Sequence, residues 1–236
     1  MKPNRACRRL FAVAALLCSS YLAAAPYPTE DQLRSAIGTG AGILRSQGIA
    51  LEALDARKEG LNLSLLAAGL NLETGTCLVF YNTRPAAALS RFFDELEERD
   101  MPTWLNAIAV HEATHCVEQR EAYLRQRFEK VLPPRFEHQG MTVQGYLSVV
   151  KSGAVETWGE ALADIASVLY LKEAVPQRWT YFAEGIATLR HDLAARSPEH
   201  DTSPWLRRVI AEESGTGPNP NIFETAFELR QRFLPR

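Results

Sequence analysis

Alternation of apolar and polar residues predicts a small β region in the first third of the chain. Residues 61–65 alternate leucine with polar side chains at a period of two, which is typical of a half-buried strand. A turn-rich segment follows, and then the apolar run 77–81. These patterns predict two strands that pair as a hairpin.

Most of the remaining chain shows helical periodicity, so the predicted fold class is α+β and predominantly α-helical. Thr29 and Gln32 form a capping-box start for the first helix, which we expect to run toward Gly38. The other segments predicted to be helical are 50–58, 85–96, 102 to beyond 118, 154–173, 177–195 and a last helix ending near 234, with an apolar segment at 143–150.

The first 25 residues predict an export signal. Four basic residues precede position 10, an apolar run follows from Leu10 to Leu17, and three alanines end the segment at 23–25. An uncleaved membrane anchor is the alternative, but the run is shorter than the ~20 residues that span a bilayer. We therefore expect a periplasmic or secreted protein with no stable membrane span after cleavage.

Composition favours one globular domain over residues 26–236. Of the 236 residues, 46% are hydrophobic and 23% are charged, which is the usual balance of a folded domain. The formal net charge of -2 provides no basic surplus for a phosphate backbone. Nucleic acid is therefore excluded as an expected partner.

Two of the four cysteines, Cys7 and Cys18, lie in the predicted signal. Cleavage would leave Cys77 and Cys116 as an even pair in an oxidising compartment, where a disulfide can form. Two unpaired buried thiols are the alternative.

The chemistry of the chain is concentrated in the stretch from His111 to His115. Residues four apart lie on the same face of a helix, so these two imidazoles can hold one metal ion. Glu112 lies beside them, where a glutamate can take a proton from a water that the metal activates. The five-residue pattern also occurs by chance, and the alternative is a histidine pair on a helix surface.

A catalytic zinc site usually has three protein ligands, so a further side chain is needed. Glu160 and Asp164 lie one turn apart on the predicted helix 154–173. This spacing lets Glu160 reach the metal while Asp164 binds the free ring nitrogen of a ligand histidine.

With both motifs present, the sequence resembles the gluzincin metallopeptidases, whose HExxH motif is followed downstream by ExxxD on a second helix. The resemblance implies a zincin-like fold with a small hairpin or sheet beside the HExxH helix. It also implies Zn²⁺ as cofactor and hydrolysis of exported peptides or proteins with Glu112 as general base. The strand 77–81 is then either an edge that pairs with the substrate backbone or an ordinary core strand.

Two other carboxylates are alternative third ligands. Glu156 precedes Glu160 by four residues and could form a shifted pair with it. Glu121 follows the HExxH stretch near the place where metzincins supply a histidine.

Residues 200–208 are similar to a segment of the CAAX-prenyl-endopeptidase-like gluzincins in which a histidine and an arginine lie near the substrate oxygen. Ser203 stands at the histidine position, and Arg208 lies close to the arginine position. His200 is the expected substitute, as a donor to the developing oxyanion. The alternative is a loop histidine followed by an ordinary helix start, with Ser203 as N-cap and Pro204 in the first turn.

Two functions other than peptidase fit the same motifs. The protein could be a zinc-stabilised, catalytically inactive binding or chaperone-like exported protein. It could also be a helical exported domain without metal. A purely structural metal site has no need of Glu112, which therefore favours the peptidase.

Overall fold

The computed structural model describes residues 27–63, 65–85, 87–213 and 221–234, so the predicted export signal lies outside it. Within these ranges the chain is mostly helical and includes a small sheet, which confirms the α+β, predominantly helical prediction. The elements in chain order are α1 (Glu30–Ser46), β1 (Leu51–Asp55), β2 (Leu66–Leu70), β3 (Cys77–Tyr81), α2 (Ala87–Asp94), α3 (Met101–Gln119), α4 (Phe128–Val131), α5 (Val143–Lys151), α6 (Glu156–Ala174), α7 (Trp179–Leu193), α8 (Ser203–Glu213) and α9 (Ile222–Arg232).

The sheet has the strand order β1-β3-β2, with β1 parallel and β2 antiparallel to β3. The predicted hairpin is present as β2 and β3, but placing its first strand at 61–65 was wrong. Leu61 is 44% exposed, whereas Leu65 and Leu66 are buried. The strand therefore forms five residues later, where its leucines reach the core.

The prediction of a helix over 50–58 is also wrong, because this segment contains β1. Leu51 pairs with Cys77 and Asp55 with Tyr81 along the parallel ladder. A nine-residue segment has little intrinsic helix stability, and hydrogen bonding to a strand distant in sequence outweighs its propensity.

Helix α1 begins as the sequence predicts but is longer. Thr29 Oγ1 accepts a hydrogen bond from Gln32 N, and Gln32 Oε1 accepts one from Thr29 N at 2.9 Å, so the capping box is confirmed. The glycines after residue 37 do not end the helix. A Cβ atom at Gly40 would lie 3.1 Å from the carbonyl oxygen of Ala109, so glycine here permits close packing of α1 on α3.

Helices α3 and α6 pack antiparallel at the centre of the fold and are buried on most of their surface. Ser167 Oγ donates to the carbonyl oxygen of Ala107 at 2.9 Å, and nearer the other end His115 meets Glu160. α1 and β2 also pack on α3, while α9 packs on α6. A helix that is buried on most sides is expected to be apolar on most sides, so the polar residues that it does carry call for a specific partner or role.

A buried arginine of α9 joins these two central helices. The Arg230 guanidinium donates to Glu118 Oε1 of α3 at 2.6 Å and to the carbonyl oxygen of Trp158 in α6 at 2.8 Å. Burial lowers the pKa of Arg230. Gly159 permits the approach, because a Cβ atom there would lie 3.1 Å from Glu118 Oε2.

A disulfide joins Cys77 of β3 to Cys116 of α3, with the Cα atoms 5.6 Å apart. Both residues are fully buried. Since Cys116 follows His115 directly, the bond fastens the sheet to α3 next to the second histidine.

None of the helices in the described ranges combines the length and apolar character that a bilayer span requires.

Candidate metal centre

Helix α3 presents His111 and His115 to α6 from successive turns of one face. Their Nε2 atoms lie 3.2 Å apart. Glu160 of α6 approaches both, with its carboxylate oxygens 3.4 Å from His111 Nε2 and 3.5 Å from His115 Nε2. Exposure of the three side chains is 12%, 20% and 16% for His111, His115 and Glu160. Residues 49 positions apart in sequence thus supply one compact group of donor atoms.

The donor atoms of these three side chains lie close enough together to share one metal ion. An ion with bonds of ~2.0–2.1 Å separates its tetrahedral ligand atoms by roughly 3.3 Å. The two histidine Nε2 atoms are 3.2 Å apart, and each lies 3.4 or 3.5 Å from a different oxygen of the Glu160 carboxylate, which is close to this value. His111, His115 and Glu160 therefore form a group that could bind a metal ion.

Asp164 orients one of the imidazoles from behind. Its Oδ1 lies 2.8 Å from His111 Nδ1, the ring nitrogen that faces away from Glu160. Thr202 donates its hydroxyl proton to Asp164 Oδ2. Asp164 is 2% exposed, so these partners and Arg190 replace its water.

Arg190 of α7 belongs to the same group, and the sequence motifs did not reveal it. Its guanidinium donates to Glu160 Oε2 at 2.9 Å and to both oxygens of Asp164. A signal was present in the sequence. Residues 186, 189 and 193 form an apolar stripe at helical spacing, and a lone arginine on such a stripe needs a partner when the stripe is buried.

Opposite charges dominate the electrostatics of the group. Burial lowers the pKa of His111, but the carboxylates of Glu160 and Asp164 outweigh it and raise the pKa to about 10. Burial raises the pKa of both carboxylates, yet His111 lowers that of Glu160 and the Arg190 guanidinium lowers that of Asp164 to about 2. For Glu112, burial prevails and raises the pKa.

Glu112 lines an open cavity together with His111, His115 and Glu160. The cavity has a volume of about 350 Å³ and continues from the donor group between α2, α3 and α7. A bound molecule can therefore reach Glu112 and the metal-binding atoms from the same side.

The alternative third ligands lie elsewhere. Glu121 is buried in the short π-helix Arg120–Leu124 that continues α3, and it pairs with Arg125 at 2.6 Å and Arg127 at 3.1 Å. Glu156 is half exposed and lies 3.5 Å from His200. Neither side chain joins the two histidines of α3.

His200 lines the cavity but lies between two carboxylates. Its Nε2 is 3.5 Å from Glu156 Oε1, and its Nδ1 is 3.6 Å from Glu199 Oε1. Arg190, rather than His200, is the donor that contacts Glu160. Ser203 is the first residue of α8 rather than its N-cap, and its hydroxyl donates to Asp201 Oδ1 at 2.6 Å.

Arg208 does not join the group. It is exposed, and its Nη1 lies 3.5 Å from the carbonyl oxygen of Phe233 and 3.4 Å from that of Leu234. Of the two residues that the similarity to the CAAX-prenyl-endopeptidase-like segment singled out, His200 lines the cavity and Arg208 lies on the surface.

Comparison of the chain with known proteins identifies no relative. The chain matches no protein-family model, no curated protein and no solved structure.

Proposed function

We propose that this protein is an exported, zinc-dependent peptidase of the gluzincin type with a zincin-like fold. The observation that carries the proposal is the compact cluster of His111, His115 and Glu160 donor atoms beside Glu112, on the wall of an open cavity. Three protein ligands and an accessible fourth position are the arrangement of catalytic rather than structural zinc sites.

The donor set suits zinc in chemistry and in charge. Two imidazole nitrogens and one carboxylate are ligands that zinc accepts readily. Histidines that bind a metal are neutral, so with a metal bound the ionised Glu112, Glu160 and Asp164 would carry three negative charges against the single positive charge of Arg190. The two excess negative charges equal those that a divalent cation balances.

Zinc, when bound, acts as a Lewis acid that activates water and polarises the substrate carbonyl. The residues of the chain do the remaining work. Glu112 accepts a proton from the attacking water while the water oxygen bonds to the carbonyl carbon of the substrate. Glu112 then passes this proton to the amine nitrogen when the C–N bond breaks. Asp164 holds His111 in orientation, and Arg190 holds the carboxylates of Glu160 and Asp164.

Of the two alternatives for strand 77–81, the structure has the core strand, and the edge strand beside the cavity is β2. β3 is paired on both sides, which makes it the core strand. The carbonyl oxygen of Leu65 accepts a hydrogen bond from Asn82 N, and Asn71 N donates one to the carbonyl oxygen of Thr76. Since backbone groups alternate in direction along an antiparallel strand, those of the odd-numbered residues from 65 to 71 point toward β3. The backbone groups of Leu66 and Ala68 then face the outer edge, where an extended peptide can pair.

The disulfide supports the exported location. Disulfides persist in oxidising compartments and are rare in the cytosol, and here the bond is adjacent to the metal-binding residues.

Replacement of Glu112 by Gln tests the proposal. The amide preserves the shape of the side chain but cannot accept the proton, so zinc should remain while cleavage of an unfolded protein substrate falls at least ~10²-fold. Glu184→Gln, an exposed change on α7, is the matched control and should retain full activity.

Two outcomes would contradict the proposal, the first its peptidase activity and the second its general base. Wild-type protein that holds stoichiometric zinc but cleaves nothing across a broad peptide library would favour the inactive binding protein. Undiminished cleavage by Glu112→Gln would remove the role assigned to Glu112.

A further inference from the structure

A glutamine of the histidine helix closes one end of the outer edge of β2. Gln119 Oε1 accepts a hydrogen bond from Leu70 N at 2.7 Å, and the glutamine is partly buried. Gln119 follows His111 and His115 at intervals of four residues, so the three side chains lie in a row on one face of α3. The helix face that gathers the metal-binding atoms therefore also contacts the edge strand.

The hydrogen bond to Gln119 occupies a backbone group that a paired peptide would need. Since the odd-numbered residues of β2 direct their backbone groups toward β3, the N–H of Leu70 points outward, as do the backbone groups of Leu66 and Ala68. In the part of the chain that the structure describes, no group bonds to the outward backbone atoms of Leu66 and Ala68. The free edge therefore comprises these two residues and ends at Leu70, whose N–H is already bound.

The two ends of β2 differ in their distance from the reacting groups. Leu66 lines the cavity together with Glu112. Leu70 contacts Gln119, which lies two turns farther along α3, roughly 10 Å by the rise of a helix. Antiparallel pairing is the more stable kind per residue, and it places the N-terminal part of a bound peptide at the Leu70 end. The cleaved bond then lies near Leu66.

We propose that Gln119 is a positioning residue that limits how many substrate residues pair with β2 before the cleaved bond. In antiparallel pairing every second substrate residue exchanges hydrogen bonds with one strand residue, so two free strand residues engage about four substrate residues. A longer segment meets the Gln119 amide where its next hydrogen bond would form. The inference rests on the proposed peptidase function, and it restricts recognition to a short segment on the N-terminal side of the bond.

The first test measures cleavage of quenched peptides that share one cleaved bond and carry two, four or six alanines before it, with the cut identified by mass spectrometry. For the zinc-loaded wild type, kcat/KM should rise from two to four alanines and stay level from four to six. Gln119→Ala frees Leu70 N, so six alanines should exceed four by roughly three- to tenfold in kcat/KM, through KM and with kcat unchanged.

Gln119→Glu is the matched control, because its carboxylate oxygen can still accept from Leu70 N, and it should behave as the wild type. A rise from four to six alanines in the wild type would overturn the proposal. Identical length profiles for the wild type and Gln119→Ala would also overturn it.

Two further measurements need no turnover. Amide hydrogen exchange at Leu70 should be slow in the wild type and in Gln119→Glu, and faster in Gln119→Ala, which lacks the acceptor. Fluorescence anisotropy of dye-labelled alanine peptides, in a Glu112→Gln background, should show the same dependence of Kd on length. If no peptide is cleaved, the peptidase proposal fails and these Kd values still decide the role of Gln119. Equal exchange in the three proteins, or no gain in Kd from four to six alanines in Gln119→Ala, overturns it.

Discussion

The guanidinium of Arg190 binds both carboxylate oxygens of Asp164, at 2.7 Å from Nε and 2.9 Å from Nη2. The same carboxylate lies 2.8 Å from His111 Nδ1. Orientation of an imidazole on α3 therefore depends on a carboxylate of α6 that an arginine of α7 holds in place.

Asp164→Asn should weaken zinc binding by roughly 10- to 100-fold without abolishing it, because the amide pairs less well with Arg190 and His111. Competition with a chromophoric chelator measures the affinity. Asp192→Asn, an exposed change on α7, is the matched control. Unchanged affinity in Asp164→Asn would show that the carboxylate does not orient the imidazole.

Wild-type protein should carry close to one zinc ion per chain. His111→Ala, His115→Ala and Glu160→Ala should each lose most of it, since each removes a donor atom. Glu156→Ala and Glu121→Ala should retain it, which metal analysis of the purified variants will show. Full retention by Glu160→Ala would mean that another residue is the third ligand.

Thiol counting in denaturant should find no free thiol from Cys77 or Cys116. The bond spans 39 residues, so Cys77→Ser should lower the free energy of unfolding by about 4 kcal/mol. Denaturant unfolding of both proteins measures the difference. Equal stability, or two reactive thiols in the wild type, would contradict the disulfide.

Arg230 and Glu118 should behave as a coupled pair in a double-mutant cycle. Arg230→Met leaves the Glu118 carboxylate buried without its partner, which should reduce the free energy of unfolding by about 3–5 kcal/mol. Adding Glu118→Leu should recover much of that loss, because neither charge then remains in the core. Purely additive losses in urea unfolding would contradict the coupling.

Asp100 should contribute stability that depends on pH. Hydrogen bonds from Arg178 hold the pKa of this buried carboxyl below its usual range. The contribution is therefore present above pH ~4 and is lost as the pH falls through the lowered folded-state pKa. Asp100→Asn should cost about 1–2 kcal/mol at pH 7 and progressively less in acid, as urea unfolding at several pH values will show. A difference that stays constant with pH would contradict this account.

Features encoded within a few residues could be predicted from the sequence. The α1 capping box depends on a three-residue spacing, and the juxtaposition of His111 and His115 depends on one helical turn. The approach of Glu160 was expected from the ExxxD resemblance. Each expectation required a local pattern and a plausible helix.

Features that depend on partners distant in sequence could not be predicted from the sequence. β1 becomes a strand because Leu51 pairs with Cys77, and a helical pattern in 50–58 contains no information about that partner. The apolar stripe around Arg190 indicates that this arginine needs a partner, but the partners, Asp164 and Glu160, are defined only when α7 packs beside α6. Of the two carboxylates beside His200, Glu199 is its neighbour in sequence, but Glu156 belongs to α6, so the sequence around His200 could not reveal that contact.

The covalent bond between Cys77 and Cys116 also restricts how the cleft can open. Because it ties the sheet to the histidine helix, β2, β3 and α3 must move together as one rigid wall. A peptide paired with β2 would then keep a constant distance from Glu112. Any widening that admits a bulky chain would then fall to α2 and α7, which also border the cavity and carry no such bond in the described structure.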